Sequence, residues 1–166
     1  MPQTTPTASP EMEVRALEME VRDLPRRHTA TVRETVVGAA IPATLGRIFG
    51  LVMTALARQG VSPSGPPFAW YHTFGAELDI EAGFPVLAPI EPDGDVRPGE
   101  LPGGPALSTV HVGSYDALEE TYRLMEDRMR ELGRTADGGP FECYLDPPTT
   151  PTADTRTEIH QPLRRS

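Results

Sequence analysis

Gly60-Val-Ser-Pro-Ser-Gly-Pro-Pro-Phe-Ala-Trp-Tyr71 aligns without a gap on Gly133-Arg-Thr-Ala-Asp-Gly-Gly-Pro-Phe-Glu-Cys-Tyr144, with five of the twelve positions identical. The register extends back through the preceding segments, where Leu45, Phe49, Val52 and Leu56 fall on Leu118, Tyr122, Met125 and Met129. Each of these sets repeats at three-and-four spacing, the signature of a helix with one apolar stripe. Pro42 near the start of the first helix and Gly60 just past its end mark its limits, as Ser114 and Gly133 mark those of the second. The helices are expected over residues 42–59 and 115–132, the second with a stripe that runs on to Leu132. Two copies of one plan in a small chain predict a pseudo-symmetric body with a cleft between the halves.

Around each helix the residues alternate or favour β structure. Residues 20–24 and 28–37 are expected to form a hairpin turning at Pro25, Arg26 and Arg27, the second run being rich in Thr and Val. Strands are expected at 68–73 and 77–84, then at 106–112, 141–145 and 157–162. Residues 88–105, dense in Pro, Gly and acid, read as the link between halves. The fold class that follows is α+β: duplicated strand–helix–strand–strand units, an antiparallel sheet with two helices on one face, and a pseudo-twofold central cleft. The folded domain is expected over residues 19–163, with halves at about 19–87 and 101–163. Residues 1–18 are expected to be a disordered or weakly helical tail. Its Glu-Met-Glu-Val-Arg at 11–15 recurs at 18–22, which leaves Met19 as an alternative start.

Composition narrows the partners. The 166 residues carry a formal net charge of −9, with no basic cluster longer than a pair. Phosphate backbones are held by clustered Arg and Lys, so direct nucleic-acid binding is disfavoured. There is no Lys and no Asn, which reads as the codon bias of a GC-rich genome. Cys143 is the single cysteine, so no intramolecular disulfide and no Cys-based metal site is expected within one chain. The four histidines lack metal-ligand spacing, and neither a metal nor a cofactor is expected. The N-terminus lacks a basic stretch followed by an apolar core, so no signal peptide is expected there, and the apolar run 36–56 is broken by Gly, Pro and Arg. A cytoplasmic protein without a membrane role is the expectation.

The residues that break the repeat are the candidates for chemistry. Glu142 stands where the other half has Ala69. On a strand it shares a face with Tyr144, and Tyr71 shares the matching face with Ala69. Trp70, the only Trp, stands against Cys143 and is expected to supply an aromatic wall. A carboxylate among aromatic planes suits flat, cationic or amphipathic organic molecules, although a lone strand Glu is also a common solvated residue. Glu81 and Glu158 form a matched pair read mainly as structural, with Glu158 a secondary candidate. His111 and Tyr115 flank the entry to the second helix near the expected cleft.

The chain resembles the GyrI-like small-molecule-binding domain, the effector-binding module of many AraC-type and MerR-type bacterial regulators. The matching pieces are Leu101-Pro-Gly-Gly, Thr109-Val-His-Val-Gly-Ser-Tyr-Asp-Ala-Leu118, Gly139-Pro-Phe-Glu-Cys-Tyr-Leu-Asp-Pro147, Arg156-Thr-Glu-Ile159 and Glu81-Ala-Gly-Phe-Pro-Val86. The motif usually has Pro at the position of Ser114 and an aliphatic residue at that of Cys143. The resemblance implies a hydrophobic or cationic ligand held between the halves. Glu142 would then be the ligand-facing acid, with Tyr71, Tyr144, Trp70, Tyr115, His111 and Glu158 as further contacts. It also implies two alternatives. One is a hydrolase of cyclopropane-bearing alkylating natural products, with Glu142 and Tyr71 catalytic. The other is a modulator of a protein partner, as in gyrase-inhibitory members. About eighteen residues ahead of Met19 are too few for a DNA-binding unit, so a direct transcription-factor role is not expected.

Overall fold

The structure is a computed structural model that describes residues 19–165; the expected tail, 1–18, lies outside them. The elements are β1 Glu20–Leu24, β2 Arg27–Val37, α1 Ile41–Arg58, β3 Phe68–Thr73, β4 Glu77–Val86, β5 Arg97–Leu101, β6 Gly104–Val112, α2 Leu118–Leu132, β7 Phe141–Tyr144 and β8 Arg156–Pro162. The strands form one antiparallel sheet in the order β1-β6-β8-β7-β3-β4-β2-β5. Both helices cover one face of it.

The strand order forces the sheet to curl. β1 lies at one edge and β2 six positions away, which is about 29 Å across a flat sheet. Only Pro25 and Arg26 join them, and three Cα steps reach at most ~11 Å. Leu101 and Gly104, which end β5 and start β6, repeat the same constraint. The sheet therefore bends into a half-barrel that brings Leu24 and Leu101 to one apolar cluster with Phe68, Trp70, Phe141, Cys143 and Leu145. That cluster lies on the concave face. The helices lie on the convex face, each over its own core: Ile48, Val52 and Leu56 of α1 meet Ala30, Val32 and Ile80, and Met125 of α2 meets Leu107 and Ile159.

Two expectations are corrected. Residues 20–24 and 28–37 do not pair with each other; β1 pairs with β6 and β2 with β4 and β5. A two-residue connector looks like a hairpin turn, but here Pro25 and Arg26 carry the chain across the mouth of the half-barrel. Residues 88–105 are not simply a link. They contain β5, which pairs with β2 and supplies the edge of the sheet.

The local signals operate as their chemistry requires. Gly60 and Gly133 both sit at φ 65°, so the two helices end in the same left-handed turn at matching repeat positions. A short 3-10 turn, Tyr115–Ala117, leads into α2, and Ser114 Oγ accepts from the Asp116 amide at 3.0 Å. Gly38–Arg58 has the length and hydropathy of a membrane span, but its Ile48, Val52 and Leu56 are fully packed against the sheet. Of the expected α2 stripe, Leu132 is 41% exposed. Phe68→Ala is expected to cost about 3–5 kcal/mol in denaturant unfolding, and Leu132→Ala under ~0.5 kcal/mol.

Candidate functional site

The site begins at the seam between the halves. β3 and β7 run antiparallel with Ala69 directly opposite Glu142, Phe68 opposite Cys143 and Trp70 opposite Phe141. Ala69 and Glu142 are repeat equivalents and the two flanking pairs exchange under the repeat, so a pseudo-twofold axis passes between Ala69 and Glu142. Residues 69, 71, 142 and 144 project from the convex face, toward the helices. Tyr71 and Tyr144, themselves equivalents, meet across the axis with hydroxyls 3.3 Å apart.

Glu142 is 5% exposed. Tyr122 donates to its Oε2 at 2.5 Å and Tyr144 to its Oε1 at 2.9 Å. No Arg or His forms an ion pair with it among the described residues. Burial raises its pKa above the usual carboxylate range, and hydrogen bonds from Tyr122, Tyr144 and Tyr71 oppose that rise. Tyr71, Tyr122 and Tyr144 are pushed upward by burial first and by the Glu142 charge second. All three phenols therefore remain protonated donors at ordinary pH.

Other rings close the site. Phe49 of α1 meets Tyr144 edge-on at 6.2 Å. Phe74, in the β3–β4 turn and 59% exposed, stacks on Tyr71 at 5.6 Å and meets Tyr122 at 6.5 Å. Tyr115, 54% exposed, stands perpendicular to Tyr144 at 6.1 Å. Phe49 and Tyr144 fill the first-half side of the axis. Open space lies on the other side: a cavity of about 680 Å³ lined in part by Phe74, Leu118, Tyr122, Met125 and Met129, with Glu119 and Glu126 at its wall. That volume suits a drug-sized molecule, and its lining carries the acids Glu119 and Glu126 and no Arg.

The structure brings Glu142, Tyr71, Tyr144 and Tyr115 together, but not the remaining candidates. Trp70 is one residue from Tyr71 and therefore points to the concave face. There its indole N–H donates to the Gly139 carbonyl at 3.0 Å, so it is no wall of this cleft. Glu158 faces the same concave side, directly opposite Cys143. His111 is fully buried beneath α2, with Nδ1 2.8 Å from Thr121 Oγ1 and Nε2 2.7 Å from the Ser114 carbonyl. It ties β6 to the start of α2. Two residues were not anticipated. Tyr122 passes for a core residue of the helix stripe, but its repeat equivalent is Phe49, so its hydroxyl is the unmatched feature. Phe74 sits in a turn outside every periodic pattern and leaves no comparable sign.

A family profile, the GyrI-like small molecule binding domain, matches residues 17–164. The chain belongs to the GyrI-like family. Among solved structures, the GyrI-like chain resembles the EcmrR C-terminal domain, with TM-score 0.79 and 18% identity over 90% of this chain and 98% of that one. It also resembles SAV2435 bound to tetraphenylphosphonium, with TM-score 0.63 and 16% identity over 89% and 94%. A third neighbour is a hydrolase from Listeria innocua, with TM-score 0.63 and 14% identity over 89% and 92%. At these identities the likeness is one of fold. Comparison with curated protein sequences gave no match.

The buried acid makes stability depend on pH. Because the folded pKa of Glu142 is raised, the folded state binds more protons than the unfolded state above the ordinary carboxylate pKa. Stability therefore falls as pH rises from about 4.3 through the folded value. Glu142→Gln is expected to raise the melting temperature of the ligand-free protein, by an amount that grows with pH across that window. Tyr122→Phe is expected to cost about 1.5–3 kcal/mol at neutral pH, where it removes a bond to a carboxylate, and less in acid.

Proposed function

We propose that this protein binds hydrophobic organic cations between Phe74, Tyr122 and the flank of α2, with Glu142 as the counter-charge. The deciding observation is Glu142 itself. A carboxylate with 5% exposure, held by Tyr122 and Tyr144 and without an ion-pair partner among the described residues, is costly to keep ionised. A bound cation would offset that cost. The surrounding rings supply stacking and cation–π attraction. Met125 and Met129 give the cavity an adaptable wall, which favours a class of compounds over one shape. Membership of the GyrI-like family supports a small-molecule ligand. The SAV2435 complex contains tetraphenylphosphonium, a cation with four phenyl rings, and supports this chemistry.

Reaching Glu142 requires Phe74 to leave its stack on Tyr71. Phe74 is exposed and lies in a turn, so this movement breaks its ring contacts with Tyr71 and Tyr122 without displacing a buried side chain. Once the cation is seated, the Glu142 pKa falls, so at pH below its ligand-free pKa the carboxyl gives up its proton. Affinity for a permanent cation therefore rises with pH up to the ligand-free pKa of Glu142 and levels off above it.

A second reading is hydrolysis, favoured by the elevated proton affinity of Glu142 next to the Tyr71–Tyr144 hydroxyl pair. Glu142 would take a proton from water while Tyr71 donates to the oxygen that gains charge. Both Glu142 oxygens already accept from phenols, an arrangement better suited to holding charge than to moving protons. Incubation with a cyclopropane-bearing alkylator, followed by mass spectrometry, is expected to show no ring-opened product; turnover lost in Glu142→Gln would establish this second reading.

Calorimetric titration with tetraphenylphosphonium tests the binding claim. Wild type is expected to bind, and Glu142→Gln to bind about 30-fold more weakly or worse, equivalent to the ~2 kcal/mol lost when one member of a buried charge pair is removed. Neutral triphenylphosphine oxide should bind both proteins alike. Equal tetraphenylphosphonium affinity in wild type and variant would refute the counter-charge role.

A further inference from the structure

On β7, Glu142 points to the helices and its neighbour Cys143 points into the half-barrel. Cys143 lies opposite Glu158 of β8 and, two residues along that strand on the same face, His160. Their potential ligand atoms all lie within 4.8 Å of one another. We propose that Cys143, Glu158 and His160 form a binding site for a thiophilic divalent cation of the zinc class, on the opposite face of the sheet from the organic-ligand cleft.

The geometry matches what such an ion requires. Two ligands at alternate positions of one strand and a third on the adjacent strand converge on one side of a sheet. Thiolate, imidazole and carboxylate are all zinc ligands, and three protein ligands leave a fourth tetrahedral position open. Bonds of about 2.0–2.3 Å set ligand separations of roughly 3.3–3.8 Å, so the widest pair must close by at most about 1 Å while the His160–Glu158 pair is already within reach. Cys143 and His160 are 7% and 5% exposed, and the backbone that carries them sits in the middle of the sheet. His160 Nε2 lies 3.0 Å from Glu158 Oε1, and Nδ1 lies 2.6 Å from Ser108 Oγ. When Nε2 ligates the ion, the proton it donates to Glu158 leaves that nitrogen and the neutral ring carries its one proton on Nδ1, facing Ser108. This is the outer-shell contact that fixes a ligating histidine. Phe141 lies against the same ring at 5.0 Å.

The charges also balance. Thiolate and carboxylate neutralise a divalent ion. Before the ion arrives, burial pushes the Cys143 thiol up to about 12, with the Glu158 and Glu142 charges adding to the rise and Arg27 opposing it. Binding therefore expels the thiol proton to solvent. Glu158 is held ionised by its hydrogen bond from His160 and by the charges of Arg22 and Arg27. Arg22 Nη1 is 3.9 Å from its other oxygen, Oε2, which leaves Oε1 to turn from His160 to the ion. In the first half the equivalents of these residues are Trp70, Glu81 and Gly83, so the three ligands come together only in the second half.

The chain has one cysteine, which makes the test clean. The full-length protein would be titrated with Co2+ as a spectroscopic probe and with Zn2+. The expected result is one equivalent bound, a near-ultraviolet thiolate-to-cobalt absorption displaced by Zn2+, and one proton released from the thiol. Cys143→Ser should abolish the absorption. Ser108→Ala should retain it with roughly 10–100-fold weaker affinity, because Ser108 positions His160 and does not ligate. In wild type alone, Zn2+ should slow modification of Cys143 by a thiol reagent, a readout independent of whether any variant folds. Absence of the thiolate absorption, or thiol modification at the same rate with and without Zn2+, would overturn the assignment. Neither outcome bears on cation binding at Glu142, which the phosphonium titration reads separately.

Discussion

The antiparallel contact between β3 and β7 is the constraint on which the rest depends. It places two copies of one sequence motif face to face, so that residue 69 opposes residue 142 on the pseudo-twofold axis. Any difference at this pair lies at the centre of the molecule. Ala69 supplies the space and Glu142 the charge. The two helices, brought over the same face by the repeat, then present Phe49 and Tyr122 from opposite sides. Only Tyr122 carries a hydroxyl, and it donates to Glu142. A duplicated scaffold thus becomes a one-sided site through two substitutions, a carboxylate and a phenol.

The cost of this arrangement is part of how it works. Burying a carboxylate in a wall of rings raises its pKa, and the tyrosines recover only part of the lost hydration. A protein selected for stability alone would place an apolar residue at 142, as it does at 69. Under the proposed function, retaining an acid in a closed ring of phenols gives a preference for positive charge that exposed acids such as Glu119 and Glu126 do not have. Those exposed acids act at longer range, placing two negative charges at the wall of the adjoining cavity. In the proposed binding mode, the apolar lining and the single buried charge together select for bulk and charge, without a hydrogen-bonding pattern that would single out one compound.

Much of this was legible in the sequence because it is local or repeated. The helices follow from their apolar spacing and their glycine stops. The central strands follow from alternation, and Glu142, Tyr71 and Tyr144 follow from comparing the halves. What escaped depends on the closure of the sheet. Pro25 and Arg26 look like a hairpin turn unless the strand order is known, and β5 is disguised by the Pro and Gly around it. Trp70 was assigned to the cleft because it breaks the repeat, yet strand alternation sends position 70 to the face opposite position 71. The same alternation, applied to both members of each differing pair, separates Glu142 from Cys143. Phe74 had no pattern to mark it, since its role arises only when the β3–β4 turn folds back over Tyr71.

The central claim is that the raised pKa of buried Glu142 falls when a cation enters. Calorimetry of wild-type protein with tetraphenylphosphonium, in two buffers of different ionisation enthalpy at mildly acidic pH, measures protons exchanged on binding. The account predicts net proton release that declines as pH rises and vanishes in Glu142→Gln. Binding without proton release across the acidic-to-neutral range would contradict it.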